Sequence, residues 1–381
     1  MVDTGSLHLA VALDGTGWHP ASWREPDARP DELFTARYWT DLVAEAERGL
    51  LDFVTIEDSL ALQSDSPSQP DRTDRVRGRL DAVLIASRVA PTTRYVGLVP
   101  TAVATHTEPF HLSKAIATLD YVSSGRAGIR VAVAADAESA AHVGRRDVSG
   151  VDLLGEAADY IEVLRRLWDS WEDDAEIRDV ATGRFIDRTK LHYIDFHGEH
   201  FSVKGPSITP RPPQGQPIVA ALGHAAPAHR LIAAGADVGF VTPHGDDDTA
   251  ATVAAIAGRR DPTADPVRLF ADLVVFLDRD AASADARRRC LDDAAGAEYR
   301  SDAEVFTGTP QQLADFLQHR TAAGLTGFRL RPAALPHDLI EITGGLVPEL
   351  QRRGAFRRKY GATTLRGLLG LGRPANRYAT A

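Results

Sequence analysis

At 381 residues and 44% hydrophobic, the chain is long enough to bury a large core, either as one α/β barrel or as two smaller domains. Its formal charge of -10 sets aside a general nucleic-acid binder, because phosphate neutralisation needs clustered Lys and Arg. A single cysteine, Cys290, excludes an intrachain disulfide framework and a thiolate metal cluster.

Residues 1–6 carry Asp3 where a signal peptide has basic residues, and the apolar run 7–13 is too short to follow as its hydrophobic region. No apolar run approaches the length of a membrane span. The expectation is a soluble, cytoplasmic protein without membrane or nucleic-acid contacts. Residues 7–13 read as a first strand, and 37–49 has helical apolar spacing with Gly49 as a stop signal. Strand 53–56, helix 80–89, strand 95–99, helix 109–122 and strand 127–134 follow. Residues 153–171 form a long amphipathic helix with Leu153, Ala157, Tyr160, Ile161, Leu164 and Leu167 on one stripe.

The segment 173–216 then breaks the rhythm. It is rich in charge, His, Pro and Gly, with one hairpin-like piece at 193–203. Too long for an ordinary αβ connection, it reads as a lid or insertion rather than a separate domain. Alternation resumes with strand 218–222, helix 227–234, strand 238–241, helix 248–259, strand 268–277, helices 281–293 and 310–323, and strand 327–330. Eight strands with intervening helices point to a closed parallel (β/α)8 TIM barrel, one domain over 1–381. An open doubly wound sheet is the rival, since alternation does not encode closure. The arginine-rich tail 352–381 reads as a solvated terminal helix and arm rather than a partner-binding patch.

Several familiar chemistries are absent: no Gly-x-Gly-x-x-Gly after a strand, no phosphate-binding Gly-x-x-x-x-Gly-Lys, no Gly-x-Ser-x-Gly elbow and no His-Glu-x-x-His. His192, His197 and His200 lie close together, but their Tyr and Phe neighbours make a hairpin pattern. Ring nitrogens on alternating hairpin faces rarely converge, so no metal site is expected there.

The segment Thr107-Glu108-Pro109-Phe110-His111-Leu112-Ser113-Lys114, running on through Leu119-Asp120-Tyr121 and Ser124-Gly125-Arg126, resembles the hallmark region of luciferase-like flavin-dependent monooxygenases. The similarity is to the branch holding nitrilotriacetate monooxygenase, pristinamycin synthase and dibenzothiophene sulfone monooxygenase. Thr16-Gly17 with His19, Trp23 and Arg24 is similar to that branch's first loop, and Ala46-Glu47-Arg48-Gly49 with Asp58-Ser59 to its second unit. Trp168-Asp169-Ser170-Trp171, Pro210-Arg211-Pro212-Pro213 and Val347-Pro348-Glu349-Leu350 continue the match almost to the end. The resemblance implies a two-component oxygenase. A separate flavin reductase would supply reduced FMN, and with O2 one oxygen would enter a small organic substrate bound at the C-terminal ends of the strands. It also implies a homo-oligomer or a pair with a paralogue.

Transferred one position at a time, the family's flavin contacts fall on Asp58, Ala104, Thr105, Arg130, Leu154, Gly223, His224 and Ala225. Only Asp58 matches the usual residue type. Ala104 stands where the family has a hydroxyl, Arg130 replaces an Asn, Gly150 and Leu154 replace a His and a Tyr, and His224-Ala225 replaces a phosphate-binding Ser-Ser pair. The Gly223 amide, His224, Arg130 or the helix start near Pro227 could substitute at the phosphate. Alternatively Arg130 pairs with Asp58 or Glu57 and fills the site. Trp18, His19 and His106 are the candidates for facing the substrate, with loop packing as the plain alternative. Three functions follow: a monooxygenase using FMN, a flavin-free binding or partner subunit, and a barrel using the deazaflavin F420.

Overall fold

Eight short runs of buried aliphatic and aromatic residues define the architecture. In the computed structural model, which describes residues 7–63 and 72–379, they form strands β1 (His8–Leu13), β2 (Phe53–Ile56), β3 (Gly97–Val103), β4 (Gly128–Ala132), β5 (Ile218–Gly223), β6 (Val238–Val241), β7 (Arg268–Leu277) and β8 (Gly327–Pro332). Each pairs in parallel with the next, and β8 returns to β1 with Leu9 opposite Phe328. The sheet is therefore closed into an α/β TIM barrel, and the open-sheet alternative falls. The leader reading of residues 1–6 lies outside the described residues.

The surrounding helices are α1 (Ala36–Arg48), α2 (Ala82–Val89), α3 (Pro109–Val122), α4 (Ala137–Val143), α5 (Leu153–Asp169), α6 (Ala226–Gly235), α7 (Gly245–Ala257), α8 (Ala281–Ala295) and α9 (Pro310–Thr321). Local chemistry sets their ends. The Thr35 hydroxyl accepts from the Tyr38 amide to start α1, whose buried face is Tyr38, Trp39, Leu42, Val43 and Ala46. Thr309 and Gln312 make a reciprocal capping box at α9. Asp246, Asp247 and Asp248 draw the start of α7 back to Gly245, three residues before the expected 248, since acidic side chains suit the first turn. The fifth helix stops at Asp169 instead of 171 because Trp171 leaves it to bridge Leu191 and to donate its indole N–H to the Ser207 carbonyl at 2.8 Å.

Three elements depart from the alternation read in the sequence. A strand at Glu304–Gly308 lies parallel to the upper half of β7, α4 follows β4 directly, and a hairpin joins Glu176–Asp179 to Arg184–Ile186. The expected hairpin at 193–203 is confined to Phe196–His197 and Ser202–Val203. The 173–216 segment is pinned to α5: Ile194 and Phe196 pack on Val163 and Leu167, and Arg211 donates to Asp169 and Asp173, both at 2.9 Å.

The tail is not a solvated arm. Leu365, Leu369 and Leu371 join Phe53, Phe240 and Phe270 in one buried cluster that fills the barrel interior from its N-terminal end. Arg268, at the start of β7, donates to the Leu369 carbonyl at 3.0 Å and fixes the tail there. Arg366, only 4% exposed, reaches the Gly372 carbonyl at 2.7 Å. The barrel is closed below, which leaves its C-terminal mouth as the open end.

Candidate active site at the barrel mouth

Successive side chains on a strand alternate between faces, so the barrel interior is read from every second residue. On β8 this puts Arg329 and Arg331 inward together, at 0% and 1% exposure; on β7 it puts Asp272 inward, and on β4 Arg130. They form one continuous chain of ion pairs. Arg130 pairs with Glu57 and donates to the Thr101 hydroxyl at 2.8 Å. Glu57 accepts from Arg329 at 3.1 Å, Arg329 donates to Asp272 at 2.7 Å, and Asp272 accepts from Arg331 at 3.0 Å. Arg331 ends in a two-pronged contact with Asp302 at 2.6 and 3.1 Å, and the His224 ring lies 3.7 Å beyond.

The chain crosses the interior from β4 to the mouth, with three guanidiniums against three carboxylates. Burial by itself would raise Glu57 and Asp272, but the surrounding guanidiniums overcome it and hold both below the ordinary carboxylate range. For Asp302, too, burial acts upward; the hydrogen bond and charge of Arg331 prevail and bring it to about 2. A depressed carboxyl stabilises the fold above its unfolded pKa, and that contribution is lost as pH falls through the folded value. Asp302→Asn should therefore flatten the dependence of urea-unfolding stability on pH between about 4 and about 2. Parallel slopes for the two proteins would show that Asp302 is not coupled to Arg331.

Above this floor lies a cavity of about 910 Å3, lined by Asp14, Trp18, Arg79, Tyr299 and Asp302 among others, within the span of roughly 300–1,000 Å3 usual for small-molecule sites. Gly17 makes its wall possible: at φ +134° it passes close to the chain just beyond β8, where a Cβ would collide with the Ala333 carbonyl. Trp18 then folds over the mouth, its indole N–H on the Ala12 carbonyl at 2.9 Å and its face 4.4 Å from the Arg331 guanidinium. His19 is fully buried behind it. Its Nδ1 accepts from the Ala21 amide and its Nε2 faces Asp292, both at 3.1 Å, which fixes the neutral tautomer; burial pushes its pKa down. His19 thus holds the loop and has no nitrogen left for acid–base work. Among the described residues, none from 173–216 lines this cavity, so the insertion flanks the mouth instead of lidding it.

The eight positions expected to hold flavin are not brought together as a cradle. The Asp58 carboxylate accepts from the Ser59 and Ala82 amides at 2.8 and 2.9 Å and so is spent on the first amide of α2, the helix that Asp81 caps. The Thr105 hydroxyl accepts from the Ala134 amide at 2.9 Å, and Ala104 beside it is buried. Both belong to a second, smaller cavity, as does His106. Leu154 packs on the core, and Gly223 is closed over by Ile232. His224, exposed, shares a hydrogen with the Thr242 hydroxyl at 2.9 Å, while Ala225 is exposed at the start of α6. The mouth has room for a tricyclic ring, but as polar anchors for flavin these residues do not fit. Arg130 and His224 instead stand at opposite ends of the ion-pair chain. Of the three hairpin-region histidines, His192 pairs with Glu172 at 2.8 Å, His197 faces the Ser202 hydroxyl at 3.2 Å, and His200 lines the smaller cavity.

Sequence reading missed Asp272, Asp302, Arg329 and Arg331. The signal was the pair of arginines two apart in Gly-Phe-Arg-Leu-Arg-Pro and the lone Asp within the apolar run that follows Arg268 in β7, both breaks in the continuous hydrophobic run expected of a buried parallel strand.

The model of the luciferase-like monooxygenases matches residues 16–327. The chain is 32% identical to N-acetyl-S-(2-succino)cysteine monooxygenase of Bacillus subtilis, covering 98% of each. It is 30% identical to nitrilotriacetate monooxygenase component A of Aminobacter aminovorans, again over 98% of both. Among solved structures, riboflavin lyase with modified FMN and riboflavin superposes with a TM-score of 0.86 at 25% identity, over 98% of this chain and 97% of that one.

Proposed function

Because this chain belongs to the luciferase-like monooxygenase family, we propose that it is the oxygenase component of a two-component flavin monooxygenase acting on a small organic molecule held in the mouth cavity. Reduced FMN, made by a separate reductase, visits this site as a co-substrate and is not a resident cofactor. The cavity of about 910 Å3 over the C-terminal ends of the strands carries this reading. Relatives named as monooxygenases over nearly their full length support it, as does a barrel of the same shape solved with a modified FMN. Trp18 and Tyr299 supply an aromatic wall, and the loop 297–302 helps to exclude water.

The missing anchors favour one alternative, a flavin-free subunit that binds or pairs with an active paralogue. Anaerobic equilibrium dialysis separates the two. Oxidised FMN should wash off during gel filtration, while reduced FMN should bind saturably at one site per chain. No saturable binding at any workable concentration would remove the oxygenase reading and leave the partner subunit.

A further inference from the structure

Away from the mouth, between the start of α3, the start of α5 and the insertion, lies the smaller cavity of about 290 Å3. Its inner wall carries polar atoms with no protein partner among the described residues. The Tyr160 hydroxyl is one, on a side chain only 1% exposed; both ring nitrogens of His106 are the others. Native interiors leave fewer than about one buried polar group in ten unpaired. Three orphaned atoms on one cavity therefore point to something that enters it.

The surroundings say what. Burial pushes the Tyr160 phenol up, so it presents a proton. Arg146 uses Nη2 for Glu156, at 2.6 and 2.8 Å, and for the Thr105 carbonyl at 2.5 Å, which leaves its other edge unbonded. The second rim cation, Arg145, is matched by Glu108 at 2.8 Å. Both carboxylates that line the cavity, Glu156 and Glu108, are thus paired with a guanidinium. The third helix begins at this wall with Pro109, and no side chain caps its first turn, so its positive end also faces the space. Each uncommitted group here can donate: the Tyr160 hydroxyl, the free edge of Arg146 and the one ring N–H that neutral His106 carries.

We propose that this cavity is a binding site for a small oxyanion, a carboxylate or a phosphate group, held by Tyr160, His106 and Arg146. The site lies apart from the mouth and stands whether or not flavin visits there. Titration calorimetry of the full chain with inorganic phosphate, and separately with acetate, at fixed ionic strength tests it. At least one anion should bind saturably at one site per chain, and which of the two binds identifies the ligand group. Tyr160→Phe and Arg146→Gln should each weaken that binding tenfold or more, whereas His224→Ala at the mouth should leave it unchanged. Tyr160→Phe removes only an unbonded oxygen, so its melting temperature should equal or exceed the parent's, and a fall in affinity is then not a folding defect. Absence of saturable binding of either anion overturns the proposal in favour of ordered water. Binding that survives Tyr160→Phe but is lost with His224→Ala overturns it as well, by moving the anion to the mouth.

Discussion

Replacing Asp272 with alanine should cost about 3–5 kcal/mol of folding stability, the usual penalty for removing one partner of a buried ion pair. Asp272 is fully buried and accepts from both Arg329 and Arg331, so its loss exposes two interior guanidiniums to an uncompensated field. Glu57 and Asp302 remain, but each is already shared or partly solvated. Asp302→Ala, by contrast, should cost no more than about 1 kcal/mol, because its side chain is 42% exposed and water replaces it. Urea unfolding followed by tryptophan fluorescence measures both. A deficit below about 1 kcal/mol for Asp272→Ala would mean that water already reaches the barrel interior.

The double variant His224→Ser/Ala225→Ser should bind oxidised FMN roughly ten- to a hundredfold more tightly than the parent chain. Both positions are exposed at the end of β5, so the change places two hydroxyls there without disturbing the core. Each hydrogen bond to a charged phosphate contributes about 1.5–3 kcal/mol, and a factor of ten needs about 1.4. Quenching of flavin fluorescence gives the affinities directly. If the two proteins bind alike, the phosphate is not received at this corner. The obstacle is then deeper, where the Arg130–Glu57 pair fills the interior.

Four elements with apolar runs were legible to the residue, whereas the third strand, read at 95–99, runs from Gly97 to Val103. Phe53–Ile56, Val238–Val241, Arg268–Leu277 and Pro109–Val122 have the bounds read from the sequence. Closure was expected from the count of eight strands, but alternation alone did not exclude the open sheet, because closure depends on Leu9 meeting Phe328 and no local pattern records such a partner. The hairpin of Glu176–Asp179 with Arg184–Ile186 was invisible for a different reason: its residues are largely exposed and charged, so they carry no alternation. At the mouth, pairing of Arg130 with Glu57 was one of the two alternatives the sequence allowed, but the chain it belongs to was not. Glu57 and Arg329 are 272 positions apart, and charge complementarity over such separations leaves no periodicity to detect.

The first strand pairs with the last, and leucines beyond the last plug the interior from beneath. During synthesis β1 must therefore wait, one edge unmatched, until more than 300 further residues have left the ribosome. Such long-range pairing makes for slow assembly and a long exposure to wrong partners. Chaperone demand, more than equilibrium stability, should thus decide how much of this protein accumulates when it is made in a foreign host.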